Sequence, residues 1–170
     1  MIFLALGSNL KSRFGDRFKN INLAISYLQE HDIEIIKKSS FYETPSYPDM
    51  TNPRFINVVI SIKTELSPDQ LISILILIEN RLGRKRIVKN DPRTCDIDII
   101  DYKNMILNFK YKNSNYIIPH EKINSRNFVL FPLREISPLW RHPKTKEKID
   151  ILIDKLSKDD KISILKIEKN

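Results

Sequence analysis

Apolar residues recur along the chain in two rhythms. Between Arg17 and Glu30, the residues Phe18, Ile21, Ala24, Ile25 and Leu28 fall three or four positions apart. That spacing predicts an amphipathic helix with Asn22, Gln29 and the charged positions outside. Over residues 54–64 the period is two, so Ile56, Val58, Ile60 and Ile62 point one way and Phe55, Asn57, Val59 and Ser61 the other. Phe55 and Asn57 therefore share the strand face opposite its aliphatic row. Residues 1–6 form a continuous apolar run ended by Gly7, which predicts a short buried strand, with Ser8 or Asn9 available as a helix N-cap after it. Residues 33–42 read as another strand, ended where Thr44-Pro45 removes a backbone donor. Ser67-Pro68-Asp69-Gln70 is a capping box opening a helix over residues 68–82, and Gly83 stands where its C-terminal cap belongs. Over residues 94–102, Cys95, Ile97 and Ile99 alternate with Asp96, Asp98 and Ile100, predicting a strand with one acidic stripe. A hairpin is expected around Lys103-Asn104, helices over residues 127–135 and 149–156, and a last strand within 162–167. The order strand, helix, strand, strand, helix, strand predicts an α+β fold. It is a ferredoxin-like antiparallel sheet with helices packed on it, a βαββαβ core followed by a helical C-terminal region.

With 170 residues, 41% hydrophobic and 29% charged, the chain lies in the ordinary globular range, and one domain over residues 1–170 is expected. A domain of this size buries roughly 68–70% of its unfolded surface, enough for a core without disulfides. The single cysteine, Cys95, cannot close an internal disulfide, which points to a reducing, cytoplasmic setting and a buried free thiol. The longest apolar run, residues 71–78, falls well short of the roughly 20 residues a bilayer span requires, so no membrane association is expected. Nor does the N-terminus carry the basic region and cleavage site of a signal peptide. Only three glycines are present, which excludes both GxGxxG and GxxxxGK[ST]. Any nucleotide must be held by another route.

Asp96-Ile97-Asp98 is the sharpest chemical feature. Residues two apart on a strand lie on one face with Cα atoms about 6.5–7 Å apart. Two such carboxylates can hold two hard cations, and all-oxygen ligation favours Mg²⁺ completed by waters and phosphate oxygens. A solvated acidic stripe is the plain alternative. Arg84, Lys85, Arg86, Lys89 and Arg93 precede the pair, and His120 and Arg126 follow it. Carboxylates beside guanidinium groups are what polyphosphate transfer requires; a loop of solvated cations is the alternative here. Asn57 offers a donor and an acceptor in one plane, suited to a heterocycle with an amide and amidine edge. Tyr47, Phe55 and Phe128 are available either as stacking walls or as plain core. His31 and His142 show no metal-ligand spacing with Cys95, which argues against zinc.

Several segments occur together in order: Leu6-Gly7-Ser8-Asn9-Leu10, Ser40-Phe41-Tyr42-Glu43-Thr44-Pro45, Phe55-Ile56-Asn57, Glu79 with Gly83-Arg84-Lys85-Arg86, Pro92-Arg93-Thr94-Cys95-Asp96-Ile97-Asp98-Ile99, and Pro119-His120 followed by Arg126-Asn127-Phe128. In order and approximate spacing they resemble the 6-hydroxymethyl-7,8-dihydropterin pyrophosphokinases of folate biosynthesis, over nearly the whole chain. The resemblance implies transfer of pyrophosphate from ATP to the pterin hydroxymethyl group with release of AMP. It also implies two Mg²⁺ ions bridging Asp96, Asp98 and the triphosphate. By position, Arg84 and Arg93 would steady the transferring phosphates, and Glu79, Arg86, His120 and Arg126 would belong to the ATP site. Thr44, Pro45, Tyr47, Phe55, Asn57 and Phe128 would line the pterin pocket, with loops 46–53 and 84–92 closing over the substrates. The tryptophan often found in the second loop is absent, because the only one is Trp140, and that loop is shorter. Asp91 precedes Pro92 where a small residue is common. A monomer is expected. The rival class is a basic nucleic-acid-binding module, favoured by the net charge of +8. It lacks an RNP-like string of the form [KR]-G-[FY]-[GA]-F, so no nucleic-acid partner is expected.

Overall fold

Strand β4 (Phe55–Lys63) is buried on both faces over most of its length, and the rest of the chain is arranged around it. In this computed structural model, residues 1–84 and 91–168 are described. Their order is β1 (Ile2–Ser8), α1 (Arg17–Glu30), β2 (Glu34–Lys38), β3 (Phe41–Thr44), β4, α2 (Pro68–Arg81), β5 (Asp96–Tyr102), β6 (Leu107–Tyr111), β7 (Ser114–Ile118), α3 (Asn127–Ile136), α4 (Ile149–Asp154), α5 (Lys158–Ser163) and β8 (Leu165–Ile167). The main sheet runs β5-β1-β4-β3-β8, all antiparallel, with β2 continuing the β3 side of β4. This is the split βαβ arrangement expected from the sequence, with helices on both faces.

The alternation in β4 divides two cores. Ile56, Val58, Ile60 and Ile62 join Leu4, Ile21, Leu28, Leu71 and Ile78 under α1 and α2. On the other face, Val59 joins Phe3, Ile100, Leu130, Leu133 and Trp140 under α3 and α4. Burial of these side chains, at about 25 cal/mol per Å² of apolar area, is the main favourable term in folding. Helix α2 begins as predicted, with Gln70 Oε1 accepting the Ser67 N–H at 2.9 Å, and Gly83 beyond its end adopts φ +85°.

Several boundaries differ from expectation. β1 continues through Gly7 to Ser8, because Gly7 pairs with both Asn57 and Asp96. The N-cap of α1 is Asp16, whose side chain accepts the Lys19 N–H, and not Ser8 or Asn9. The strand expected over 33–42 splits at Ser39, where the hydroxyl accepts the Val59 N–H at 3.0 Å in place of a backbone carbonyl. Lys103-Asn104 does make a turn, yet β6 pairs with β7 and not with β5. α5 occupies part of the segment expected as the final strand, which shortens to β8. Cys95 is buried and free as expected.

Candidate active site

The candidate residues carried by strands gather at one end of the sheet, on the face that α3 and α4 cover farther along. Register places them in rows: Gly7 lies between Asp96 and Asn57, and Ala5 lies between Asp98 and Val59. The period of two therefore sets both aspartates and the asparagine on the same face.

Asp96 receives two guanidinium groups. Arg84 Nη1 is 2.6 Å from one carboxylate oxygen and Arg93 Nη1 3.2 Å from the other. Asp98 pairs with Arg126 Nη1 at 3.0 Å. Burial and the nearby Asp96 charge push the Asp98 carboxyl above its usual range, although Arg126 and His120 pull it back. Glu79 is buried at 3% exposure. It accepts the Ile97 N–H at 2.8 Å and also holds Arg84, so it ties α2, the residue after Gly83 and β5 together. Burial opposes the charge on Arg84, but Asp96 and Glu79 more than offset this and raise its pKa. The Arg93 Nε is buried without a hydrogen-bond partner among the described residues.

His120 Nδ1 accepts the Lys122 N–H at 3.0 Å, which leaves Nε2 as the protonated nitrogen of the neutral ring. Burial and then Arg126 lower its pKa, so the neutral form prevails at pH 7. Glu79, Arg84, Arg93, Asp96, Asp98, His120 and Arg126 all line a cleft of about 800 Å³, whose other walls are largely apolar residues of α2, β5 and β7, with Ser114 and Asn115 among them.

The residues expected around the pterin sit beside this cleft and do not line it. Asn57 is buried, and its Nδ2 donates to Thr44 Oγ1 at 3.0 Å, which turns Oδ1 toward Gly7. Phe55 and Phe128 are half-buried, each with a guanidinium 5.5 Å from its ring centroid, Arg93 and Arg126 respectively. Pro45 is half-buried at the start of loop 46–53. Tyr47, in loop 46–53, is 89% exposed. Arg86 lies outside the described residues, as do Lys85 and Lys89.

Two contributors carried no assigned role at this site in the sequence. Gly7 leaves open the space between Asn57 Oδ1 and the Phe55 ring. Asn9 is 2% exposed, and its amide bonds residues in two loops. The available signal was a polar side chain in a short motif directly after a buried strand.

Among the described residues no three His, Cys, Asp or Glu side chains converge as a metal site. The oxygen donors are the Asp96–Asp98 pair, which the period of two sets on one strand face; burial first, and the nearby Asp96 charge second, raise the Asp98 pKa. That donor set fits Mg²⁺, which takes one or two protein carboxylates and completes its octahedron from water and phosphate.

The family description 7,8-dihydro-6-hydroxymethylpterin-pyrophosphokinase (HPPK) matches residues 3–138. The chain belongs to this family. It is 37% identical over 135 residues to the Bacillus subtilis 2-amino-4-hydroxy-6-hydroxymethyldihydropteridine pyrophosphokinase, covering 79% of this chain and 76% of that protein. It is also 36% identical over 159 residues to the Pneumocystis carinii folic acid synthesis protein fol1, covering 94% of this chain but 20% of that longer protein. This chain thus spans about a fifth of the length of this fungal relative. The crystal structure of Plasmodium falciparum HPPK-DHPS aligns with TM-score 0.72 and 17% identity, over 91% of this chain and 40% of that one, which supports the ferredoxin-like fold. No helix among the described residues is long and apolar enough to cross a membrane.

Proposed function

We propose that this chain transfers the β,γ-pyrophosphoryl group of ATP to the hydroxymethyl oxygen of 6-hydroxymethyl-7,8-dihydropterin, a reading that the pyrophosphokinase names of its shorter relatives support. The observation that carries this reading is one row of side chains across three strands: Asp96 with its two guanidinium groups, the open position at Gly7, and Asn57. It supports reading polyphosphate chemistry beside heterocycle recognition.

In this reaction the substrate hydroxyl loses its proton and attacks the β-phosphorus. The bond from that phosphorus to the oxygen bridging the α-phosphate breaks, and AMP leaves with the bridging oxygen. The cleft between α2 and the β6–β7 hairpin would take the nucleotide, its apolar wall serving the base. Asp96 and Asp98 would hold two Mg²⁺ ions, which when bound neutralise triphosphate charge and orient its oxygens. Arg84 and Arg93 supply fixed positive charge where the transferring group moves. Arg126 and the Nε2–H of neutral His120 are donors for outer phosphate oxygens. Glu79 lines the same cleft and acts there through Arg84 and β5.

On the pterin side, Asn57 Oδ1 accepts from the ring edge, its orientation fixed by the bond to Thr44. Phe55 and Phe128 offer apolar walls, each linked through its guanidinium to the phosphate side. The test is incubation with ATP, Mg²⁺ and the hydroxymethyl dihydropterin. AMP together with a pyrophosphorylated pterin is expected, and ADP as the nucleotide product would refute the reading.

A further inference from the structure

We infer that Asn9 is a positioning residue that sets Arg93 relative to the pterin-side loop, an inference that rests on the function proposed above. Its side-chain amide joins two otherwise separate segments. Oδ1 accepts the Arg93 N–H at 2.7 Å. Nδ2 donates to Ser46 Oγ at 3.2 Å and to the Pro53 carbonyl at 3.1 Å. The Asn9 and Leu10 N–H groups both reach the Arg93 carbonyl at 3.1 Å, so the main chain of Arg93 is held from both sides.

Ser46 and Pro53 are the two ends of loop 46–53, and Ser46 Oγ also donates to the Pro53 carbonyl at 2.6 Å, closing its neck. Pro45 precedes this neck and Phe55 follows it by two residues, so the neck fixes where the expected pterin walls begin. On the other side, Arg93 reaches Asp96 and approaches the Phe55 ring. One buried amide therefore aligns a phosphate-handling guanidinium with the walls of the neighbouring slot. Neighbouring groups fix Asn9 itself: Ser8 Oγ donates to the Thr94 carbonyl at 2.7 Å, and buried Asn20 donates to the Leu10 carbonyl at 2.9 Å.

The chemistry of the site selects an amide. Arg93 N–H needs an acceptor, while the Ser46 hydroxyl and the Pro53 carbonyl need a donor in the same plane. Aspartate can satisfy the first requirement but not the second. Alanine satisfies neither and leaves a main-chain N–H unpaired. Because in-line transfer depends on the relative placement of two substrates, a misalignment of about 1 Å costs about a hundredfold in rate.

The experiment compares full-length wild type with Asn9→Ala, Asn9→Asp and Ser46→Ala. It measures kcat, the KM of each substrate, equilibrium binding of Mg-ATP, thermal melting and amide hydrogen exchange. Asn9→Ala should lower kcat about a hundredfold, leave Mg-ATP affinity within about threefold, and speed exchange in both 46–53 and 91–94. Asn9→Asp should raise the pterin KM more than it lowers kcat and loosen 46–53 while protecting 91–94, and Ser46→Ala should follow it in weaker form. A kcat for Asn9→Ala within about threefold of wild type would overturn the inference. So would uniform losses in kcat and both affinities that track the fall in melting temperature, or exchange changes confined to 91–94. Should Asn9→Ala not fold, the KM-against-kcat split of the other two variants decides the matter. A wild-type chain that forms no AMP sinks the proposed function instead, and the exchange pattern then still decides whether Asn9 ties the two loops.

Discussion

Gly7 on β1 and Asn57 on β4 are register partners, and a β-carbon at position 7 would stand 3.3 Å from Asn57 Oδ1 and 3.5 Å from the Phe55 ring. Gly7→Ala thus fills the slot without demanding an unusual backbone. The expected result is a pterin KM raised about tenfold or more, the scale of about 1.4 kcal/mol of lost contact, with Mg-ATP affinity unchanged. Calorimetric titration with each ligand checks it, and equal losses for both would place the slot elsewhere.

Asp98 carries a different expectation. Asp98→Asn keeps the shape but removes a charge from the carboxylate pair, so turnover should fall about a thousandfold, equivalent to the several kcal/mol that metal-assisted charge stabilisation supplies. Turnover measured across a Mg²⁺ titration checks this. Near-normal activity at ordinary Mg²⁺ would remove Asp98 from the proposed metal pair.

Glu79 is a matter of stability first. Glu79→Ala leaves the Ile97 N–H without its acceptor and takes one of two carboxylates from the nearly buried Arg84. Breaking a buried pair in this way costs about 3–5 kcal/mol. Urea unfolding should show that loss, and Glu79→Gln, which still accepts from Ile97, should show less of it.

His142 predicts a pH dependence. It is 5% exposed, its Nδ1 accepts the Lys144 and Thr145 N–H groups at 3.1 Å each, and burial lowers its pKa. As pH falls below 6.5 the unfolded chain takes up the proton before the folded chain does, so stability declines until the lowered folded pKa is passed. The slope of unfolding free energy between pH 7 and 5 should be shallower in His142→Gln than in wild type. An unchanged slope would show that this imidazole does not govern the window.

Much of this architecture was legible because periodicity reports burial directly. Ile56 to Ile62 in β4, Phe18 to Leu28 in α1 and the Ser67–Gln70 cap each carry a local signal strong enough to survive folding. The row of Asp96, Gly7 and Asn57 was legible only in part. Its members were conspicuous by residue type, but their adjacency is set by β-ladder register, a non-local property. The β6–β7 hairpin was missed because its turn at Lys112 uses a left-handed lysine, φ 52°, where glycine would have announced it. Asn9 escaped for a similar reason: a capping role is the commonest use of an asparagine after a strand, whereas here its partners lie 37 to 84 positions away.

The pairing of β1 with β5 slips by one residue after Phe3, so that Phe3 faces Asp101 while Leu4 faces Ile99. Ile100 is the extra residue, and beyond it the alternation inverts. Asp101 joins Ile100 on the α3 side, where it accepts the Trp140 Nε1–H at 2.9 Å, and Tyr102 turns into the opposite core. Such bulges absorb one residue of mismatch. A lengthened or shortened bend at Lys103-Asn104 would therefore be taken up at this joint, leaving Asp96 and Asp98 in frame.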